Sequence, residues 1–287
     1  MPFWKMHGAG NDFVVHDASE GATRSDAEWA ALAERVCDRH FGVGADGLIA
    51  VLPSDVADRR MRIFNPDGSE AEMCGNGIRC LVKFALDQDE TLRSRGVLRV
   101  ETLAGVLDAE ATLGADGTVD RVRVGMGAPR FEPEAIGALI EQAPPVLDLP
   151  LEAAGQEHRV TLVSMGNPHA VIFGSDPVEA FDLERIGPAI EHHPLFANRT
   201  NVEIVRVPDR GSLEMRVWER GVGETLACGS GACAAVVAAR LHGLADGEVA
   251  VSVPGGTLGI GWDGAGDVTL EGPAVKVFES AWRDPGP

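Results

Sequence analysis

The sequence predicts an α+β protein that consists of two similar halves. Three observations support this fold class: strand-like segments outnumber helical ones, two segments about half a chain apart resemble each other, and 287 residues are more than one hydrophobic core usually serves. The predicted helices do not alternate regularly with the strands. This order favours a mostly antiparallel sheet over a doubly wound βαβ fold.

Helices are predicted where apolar residues recur at helical spacing. In residues 25–39, Ser25 and Glu28 form a capping box in front of an amphipathic pattern. Residues 231–242 are apolar on nearly every face, which predicts burial within a surrounding sheet, and Gly243 ends that helix. Two further helices are predicted over residues 75–87 and 182–193. The inner stripe of the 75–87 helix would consist of Ile78, Leu81, Val82 and Ala85.

Most other segments are typical of strands, because they alternate or carry β-branched residues between Gly and Pro. The predicted strands are residues 97–102, 119–126, 158–165, 201–207, 213–219, 249–253 and 275–280. A proline-rich segment, residues 128–146, is a candidate linker. We divide the chain into a first domain of residues 1–125 with 274–287 and a second domain of residues 126–273.

Composition limits the possible functions. The net charge is −19, so nucleic acid is not an expected partner, because phosphate backbones attract basic surfaces. No apolar run approaches the roughly 18 residues that a membrane helix needs, and residues 1–15 lack the pattern of a signal peptide. We therefore expect a cytoplasmic protein without membrane association. Five cysteines, an odd number, then indicate thiols and not a disulfide framework.

An internal repeat is visible when residue 61 is placed over residue 215, a shift of 154 positions. The segment "MRIFNPDGSEAEMCGNG" then aligns with "MRVWERGVGETLACGSG" without a gap. The identical pairs are Met61 and Met215, Arg62 and Arg216, Glu70 and Glu224, Cys74 and Cys228, Gly75 and Gly229, and Gly77 and Gly231. A second match relates "GNDFVV" from Gly10 to "GNPHAV" from Gly166. Each half therefore contains a Gly-Asn turn, a strand, a glycine-rich loop, a cysteine and a helix.

The repeat predicts where the two cysteines lie. Similar halves usually pack about a pseudo-two-fold axis, which would bring Cys74 and Cys228 face to face across an interdomain cleft, each at the start of a helix. A helix N-terminus lowers the pKa of a thiol, and its N–H groups bind carboxylates. The glycines beside each cysteine would let a ligand approach this backbone closely.

Two facing thiols suit the inversion of a carbon atom next to a carboxylate. Inversion without a redox cofactor needs a base on one face of the carbon and an acid on the other, so one sulfur would be a thiolate and the other a thiol. The N–H donors would stabilise the charge that develops on the carboxylate oxygens. The glycines of "HFGVGADG" are too loosely spaced for a dinucleotide loop and lack a βαβ setting, so we expect no cofactor.

The remaining cysteines and the alternative roles of thiols follow from spacing. We expect Cys37, Cys80 and Cys233 to be buried core residues, because they fall within predicted helices. Zinc sites favour roughly two to four residues between ligands; Cys74 and Cys80 have five between them, Cys228 and Cys233 have four, and no histidine lies at a matching offset, so no metal is expected. A thiol redox or metal-binding protein is the alternative from a different class of function.

These residues lie in motifs that resemble those of the diaminopimelate epimerase family, in the same order and over essentially the whole chain. The motifs are "KMHGAGNDFVV", "FGVGADG", "FNPDGSEAEMCGNGIRC", "MGNPHAV", "NVEIV", "ERGVGETLACGSGACA" and "GPAVKVF". The resemblance implies a cofactor-independent enzyme that interconverts LL- and meso-2,6-diaminopimelate in lysine and peptidoglycan precursor biosynthesis. It also implies a homodimer of chains whose two domains are each a sheet curled like a barrel around a central helix. Proline racemase-like enzymes are looser relatives, and an amino-acid racemase of that kind is the alternative with the same chemistry.

The resemblance also implies a role for individual residues. Cys74 and Cys228 would be the two acid–base thiols, and His169 and Glu219 would help set their pKa values. The N–H groups that would hold the reacting carboxylate belong to Gly75, Asn76, Gly229 and Ser230. The residues that would bind the rest of the substrate are Asn11, Asn65, Asn167, Asn201, Glu219 and Arg220.

Three positions qualify the resemblance. The repeat places Asn65 over Glu219 and Pro66 over Arg220, so the halves diverge where only one of them must bind the distal group. Many family members carry a substrate-contacting Gln where this chain has Gly47. Phe278 stands where some members have a tyrosine at the dimer contact, and this chain has no tyrosine.

Overall fold

The computed structural model describes residues 1–19 and 24–283, and these residues form strands and helices in an α+β arrangement. The strands are β1 (Pro2–Gly8), β2 (Asn11–Asp17), β3 (Gly47–Leu52), β4 (Arg59–Phe64), β5 (Glu70–Ala71), β6 (Val97–Thr102), β7 (Gly105–Leu113), β8 (Val119–Gly125), β9 (Leu149–Ala153), β10 (Gln156–Ser164), β11 (Pro168–Gly174), β12 (Asn201–Asp209), β13 (Ser212–Glu219), β14 (Gly223–Thr225), β15 (Glu248–Val253), β16 (Gly256–Gly261), β17 (Thr269–Pro273) and β18 (Val275–Ala281). The helices are α1 (Asp26–Cys37), α2 (Gly75–Gln88), α3 (Glu90–Arg95), α4 (Pro133–Ile136), α5 (Leu183–Glu191) and α6 (Gly229–Leu241).

The chain divides into two compact units. The first unit consists of Met1–Val124 and Glu271–Pro287, and the second unit of Gly125–Leu270. The proline-rich segment 128–146 is not a linker, because Ile136, Ala138 and Val146 are buried in the core of the second unit. The expectation of a linker there was wrong because proline and glycine mark irregular backbone, whether or not that backbone is packed.

Both units have the same strand connections. In the first unit β1 pairs antiparallel with β2, β2 parallel with β3, β3 antiparallel with β4, and β4 parallel with β6. In the second unit β10, β11, β12, β13 and β15 pair in the same sequence of directions. A helix, α1 or α5, lies in the connection between the first two parallel strands of each unit, as a parallel crossover requires. The pairing is mostly antiparallel and the fold is α+β, as the sequence predicts.

Two of the repeated residue pairs form equivalent ion pairs across neighbouring strands. Arg62 on β4 donates from Nε and Nη2 to the two carboxylate oxygens of Glu70 at 2.7 and 2.6 Å. Arg216 on β13 makes the same fork with Glu224, at 2.7 and 2.9 Å. Such bidentate contacts are specific in geometry, so they set how the short strand before each cysteine lies against its neighbour.

A helix lies at the centre of each unit. All residues of α2 from Gly75 to Leu86 are buried, and α2 packs against β1, β2, β3, β4, β6, β7 and β18. The sequence predicts one inner stripe for α2, but the structure buries every face, including the long side chains of Arg79 and Lys83. Lys83 is accommodated because it bonds to the Val119 carbonyl and pairs with Asp87 at 2.8 Å.

The equivalent helix α6 is almost entirely apolar and packs against β10, β11, β12, β13 and β16. It begins at Gly229, two residues earlier than predicted, and Gly243 follows it with φ +69°. Cys80 and Cys233 are fully buried in α2 and α6, and Cys37 is buried at the end of α1. Burial raises the pKa of Cys37 and of Cys80 to about 12, which fits core residues without acid–base chemistry.

The outer face of each sheet is covered by a second helix. Ser25 caps α1 with the predicted capping box, and Trp29, Leu32 and Val36 pack over Val14 and Leu48 of the first unit. In the second unit, α5 places its apolar residues against β12 and β13. Strands in both units are therefore covered by helices on both faces.

Among the described residues, none of the helices combines the length and the apolar character that crossing a membrane would require.

Close packing between α5 and β13 yields a stability prediction. A Cβ atom at Gly187 would lie 2.6 Å from Cγ of Trp218, the residue before Glu219. Gly187→Ala should lower the free energy of unfolding by about 1–2 kcal/mol, because the clash exceeds the roughly 1 kcal/mol that alanine gains in a helix. Denaturant unfolding measures the change. Gly174→Ala is the matched control, since a Cβ there meets nothing within 4 Å, and equal stability of the two variants would contradict the prediction.

Candidate active site

The first cysteine lies at the start of the central helix of the first unit, in a group that we call the Cys74 site (Asn11, Cys74, Gly75 and Asn76). Cys74 is the N-cap residue of α2 and is half-buried. Its Sγ lies 3.8 Å from Oδ1 of Asn11, the first residue of β2. Asn76 donates from Nδ2 to the same Asn11 oxygen at 3.1 Å. The turn before β2 and the first turn of α2 thus meet at the sulfur.

The second cysteine lies at the equivalent position of the second unit, in the Cys228 site (Asn167, His169, Glu203, Glu219, Cys228 and Ser230). Cys228 is the N-cap residue of α6 and is buried. Its Sγ accepts a hydrogen bond from the Gly231 N–H at 3.4 Å and lies 3.5 Å from Ser230 Oγ. Asn167 donates from Nδ2 to Ser230 Oγ at 3.2 Å. The two sites therefore share their helix geometry and the asparagine that approaches it.

A buried histidine and carboxylate extend the Cys228 site. His169 and Glu203 are fully buried, and His169 Nδ1 lies 2.7 Å from Glu203 Oε1. His169 Nε2 lies 2.9 Å from Asn167 Oδ1, so the ring connects the carboxylate to the asparagine. Glu203 Oε2 is buried and has no hydrogen-bond partner within the described part of the chain.

Burial and nearby carboxylates reverse the expected direction of the pKa shift of Cys228. Burial and the nearby charges of Glu219 and Glu203 raise the pKa of Cys228 well above its usual range, and the bonds from Ser230 and Gly231 only partly oppose this. Burial also raises the pKa of Glu219, although Thr225 and Cys228 bond to its carboxylate. The prediction that the helix N-terminus lowers the thiol pKa was therefore wrong for Cys228, because two carboxylates and desolvation outweigh the helix.

The glycine three residues after each cysteine fills a packing requirement. A Cβ at Gly77 would lie 3.2 Å from the Cδ1 atoms of Ile49 and Ile63, and a Cβ at Gly231 would lie 2.8 Å from Glu203 Oε1. Glycine here lets the helix start approach β3 or β12. The conserved spacing of Cys and Gly in the repeat thus has a cause within each unit, in addition to the ligand access that the sequence suggested.

The residues predicted to bind the distal group lie around the end of β13. Asn201 is buried and uses both polar atoms on backbone: its Nδ2 donates to the Pro168 carbonyl at 2.8 Å, and its Oδ1 accepts from the Arg220 N–H at 2.8 Å. Glu191 Oε1 accepts from the Gly221 N–H, also at 2.8 Å. These bonds hold the end of β13 and the loop after it, which carry Glu219 and Arg220.

The equivalent turn in the first unit follows β4. Asn65 donates from Nδ2 to Ser69 Oγ at 2.9 Å, and its backbone N–H bonds to the Ser69 carbonyl. Gly47 begins β3 and pairs with Phe13, as Asn201 pairs with His169 in the second unit. A Cβ at Gly47 would lie 3.0 Å from the Phe64 carbonyl oxygen, so a larger residue there requires a backbone adjustment.

Comparison with known proteins assigns the chain to a family. A family model described as diaminopimelate epimerase matches residues 3–132 and 161–277. The chain belongs to the diaminopimelate epimerase family. It is 52% identical to the diaminopimelate epimerase of Desulfitobacterium hafniense over 97% of both chains, and 50% identical to that of Acetivibrio thermocellus over 97% of both chains.

Solved structures show that the fold recurs beyond the diaminopimelate epimerase family. A phenazine biosynthesis protein of Bacillus anthracis matches with a TM-score of 0.70 at 21% identity and covers 98% of this chain and 99% of its own. A hydroxyproline epimerase of Agrobacterium vitis matches with a TM-score of 0.71 at 17% identity and covers 98% and 90% of the two chains. The architecture is therefore shared by several families.

Two residues in or next to the Cys228 site were not identified from the sequence. Glu203 bonds to His169, and Thr225 donates to the Glu219 carboxylate. The repeat held a signal for Glu203, because it aligns with Ile49 and thus places a carboxylate where the first half has a core residue. Within residues 1–19 and 24–283, no group of three or more His, Cys, Asp or Glu side chains could hold a metal ion.

The charge environment of Cys228 can be tested by alkylation. Glu219→Gln should lower the pH at which Cys228 is half-maximally alkylated, because removal of a neighbouring negative charge makes the thiolate less unfavourable. Mass spectrometry of the Cys228 peptide after iodoacetamide treatment across a pH series measures this midpoint. Glu214→Gln is the control, since Glu214 lies on the same strand as Glu219 but pairs with Arg206. A Glu219→Gln midpoint that equals that of the wild type or lies above it would contradict the assignment.

Proposed function

We propose that the protein is a diaminopimelate epimerase that interconverts LL- and meso-2,6-diaminopimelate without a cofactor, in lysine and peptidoglycan precursor biosynthesis. The observation that carries the proposal is the pair of cysteines at the N-cap of the central helix in each unit. Relatives that are about half identical over nearly the whole chain carry this name.

In this proposal Cys74 and Cys228 work on opposite faces of one α-carbon. One sulfur, as thiolate, removes the α-hydrogen as a proton, and the other, as thiol, gives its proton to the opposite face. The thiol that loses its proton becomes the thiolate, so charge and protons balance and the reverse reaction exchanges the roles. The raised pKa of Cys228 favours its thiol form in the absence of substrate, which is the form that donates the proton when Cys74 is the base.

The reacting carboxylate would be bound by the first turns of α2 and α6. The N–H groups of Gly75, Asn76, Gly229 and Ser230 lie at these helix starts, where they lack partners within the helix. Charge moves onto the carboxylate oxygens as the α-carbon loses its proton. Preorganised N–H donors stabilise that charge, which lowers the barrier of the step that limits amino-acid racemisation without a cofactor.

The second amino-acid group of the substrate would be bound by polar residues near the two cysteine sites. Arg220 and Glu219 offer a positive and a negative charge, suited to a distal carboxylate and a distal ammonium group. Asn11, Asn65 and Asn167 would complete this binding. The bonds of Asn201 to backbone favour an indirect part for it, in which it holds the Arg220 backbone in place.

Solvent exchange tests the proposed reaction directly. In heavy water with LL-diaminopimelate and no added cofactor, deuterium should enter the α-carbon while meso-diaminopimelate accumulates. Cys74→Ala and Cys228→Ala should each reduce epimerisation by at least about 1,000-fold, because each removes one of the two proton-transfer groups. Proton NMR measures the exchange, and circular dichroism or chiral chromatography measures the product. Cys233→Ala is the matched control, since Cys233 is a core residue of α6.

Three outcomes would contradict the proposal. Turnover of proline without turnover of LL-diaminopimelate would favour an amino-acid racemase of the proline racemase type. A requirement for an added metal or electron acceptor, without α-hydrogen exchange, would favour a thiol redox or metal-binding protein. Full activity of either single cysteine variant would exclude the two-base scheme.

We further propose that the enzyme is a cytoplasmic homodimer that associates through β18. Val275, Val277 and Phe278 of this strand are exposed, and Phe278 packs edge-on against Phe3 at 6.0 Å between ring centroids. Phe278→Lys should convert the dimer to a monomer, because a charge on this apolar face opposes its burial. Sedimentation equilibrium measures the mass. Phe41→Lys is the control, because Phe41 is an exposed residue outside β18. A monomeric wild type would contradict the proposal.

A further inference from the structure

A continuous chain of hydrogen bonds runs past Cys74 in the first unit. Arg79, fully buried on α2, donates from Nη2 to Asn76 Oδ1 at 2.8 Å. Asn76 donates from Nδ2 to Asn11 Oδ1 at 3.1 Å, and Asn11 donates from Nδ2 to Asp46 Oδ2 at 2.7 Å. Asp46 lies just before β3, so the chain of hydrogen bonds connects the central helix α2 to the start of β3 through two asparagines.

The two ends of this chain determine the orientation of both amides. A guanidinium group only donates hydrogen bonds and an ionised carboxylate only accepts them. Arg79 therefore requires the oxygen of Asn76 to face it, which turns the Asn76 nitrogen toward Asn11. Asp46 requires the nitrogen of Asn11 to face it, which turns the Asn11 oxygen toward Asn76 and Cys74. The two requirements agree, so neither amide can be reversed without loss of bonds at both of its ends.

We propose that Asp46 is a positioning residue for Cys74, acting through Asn11. By binding the Asn11 nitrogen, Asp46 keeps the Asn11 oxygen 3.8 Å from the sulfur, where this oxygen accepts a hydrogen bond from the thiol. A reversed amide would present N–H donors to the sulfur and favour the thiolate instead. Asp46 thereby sets the direction of the hydrogen bond between Cys74 and Asn11. This direction favours the thiol of Cys74, the form that can donate a proton. The consequence for catalysis rests on the proposed function, whereas the hydrogen-bond direction does not.

Asp46 also accepts hydrogen bonds from Arg39 and from the backbone of Asp12. Its Oδ1 accepts from Arg39 at 2.6 Å, and its Oδ2 accepts from the backbone N–H of Asp12 at 3.0 Å. Arg39 and Lys5 also pair with the Asp12 side chain. Burial by itself would raise the pKa of Asp12, but its bonds with Arg39 and Lys5 outweigh burial and lower the pKa to about 2. Asp12 therefore stays ionised across the range in which thiols titrate.

The second unit lacks this chain of hydrogen bonds. Asn167, the equivalent of Asn11, places its Oδ1 next to His169 and donates from Nδ2 to Ser230. The equivalent of Asp12 is Pro168, which has no N–H to bind a carboxylate. The chain from Arg79 to Asp46 is thus specific to Cys74, while Cys228 is surrounded by Glu203 and Glu219. The two thiols therefore have different surroundings.

Two substitutions at Asp46 separate the hydrogen bond from the charge. Asp46→Ala removes the acceptor, so the Asn11 amide can turn its N–H toward the sulfur. Asp46→Asn removes the same charge but keeps a side-chain oxygen that can accept from Asn11 and Asp12. Arg39→Met is the matched control, because it removes the ion pair and leaves Asp46 Oδ2 bound to Asn11.

The primary measurement is alkylation of Cys74 across a pH series, without substrate, read by mass spectrometry of the Cys74 peptide. The charged groups of this hydrogen-bond chain and its cluster are Arg79, Lys5, Asp12, Arg39 and Asp46, and the neighbouring thiol Cys80 stays protonated since burial raises its pKa to about 12. Below the midpoint, Asp46→Ala should react about threefold faster than Asp46→Asn, the factor expected for one hydrogen bond. The Arg39→Met profile should coincide with that of the wild type.

Equal profiles of Asp46→Ala and Asp46→Asn would overturn the proposal, because the charge alone would then matter. A shift in Arg39→Met as large as that in Asp46→Ala would also overturn it. If Asp46→Ala does not fold, the S–H stretching band of Cys74, obtained as the infrared difference between wild type and Cys74→Ala, decides the question. A band shifted toward that of a hydrogen-bonded thiol supports the proposal, and one at the position of a solvated thiol contradicts it. Epimerase assays of the same variants test the proposed function separately.

Discussion

The amino terminus of a completely enclosed helix is the constraint on which both halves of this protein depend. Most residues of α2 and α6 are buried, and the first turn of each helix is where backbone N–H groups find no carbonyl of the same helix to bond. Cysteine occupies the N-cap, and small residues follow, because β3 or β12 approaches the helix start too closely for a Cβ at Gly77 or Gly231. The strand pairings and the repeated Arg–Glu forks hold the strands that surround each helix start.

The sequence predicted the repeat, the α+β class and the central helices because these leave local signals. Helix α1 was correct to its capping residue, since a capping box is encoded within four residues. Strands β2 and β3 were not among the predicted strands, because runs of consecutive residues in each are buried. Neighbours such as Val14 and Val15 are then both buried, and the alternation that marks a half-exposed strand is lost.

Contacts between residues distant in sequence were not predictable in the same way. Asp46 and Asn11 are 35 positions apart, and Asp46 sits in a glycine-rich loop where an aspartate is ordinary turn chemistry. Glu203 lies in a strand that was predicted, but only the pairing of β11 with β12 brings it to His169. The direction of the Cys228 pKa was wrong for the same reason, because the carboxylates that raise it come from β12 and β13.

Equivalent positions in the two halves hold residues of opposite character. Phe13 and Ile49 are core residues, whereas His169 and Glu203, at the same places in the strand pairing, form a buried polar pair. Two identical half-length chains assembled as a dimer would carry the same residue at both places. This difference requires a separate coding sequence for each half, so duplication of a half-length gene would have been the step that allowed one thiol to be tuned independently of the other. The Arg–Glu fork, retained in both halves, would then be a remnant of the symmetric ancestor.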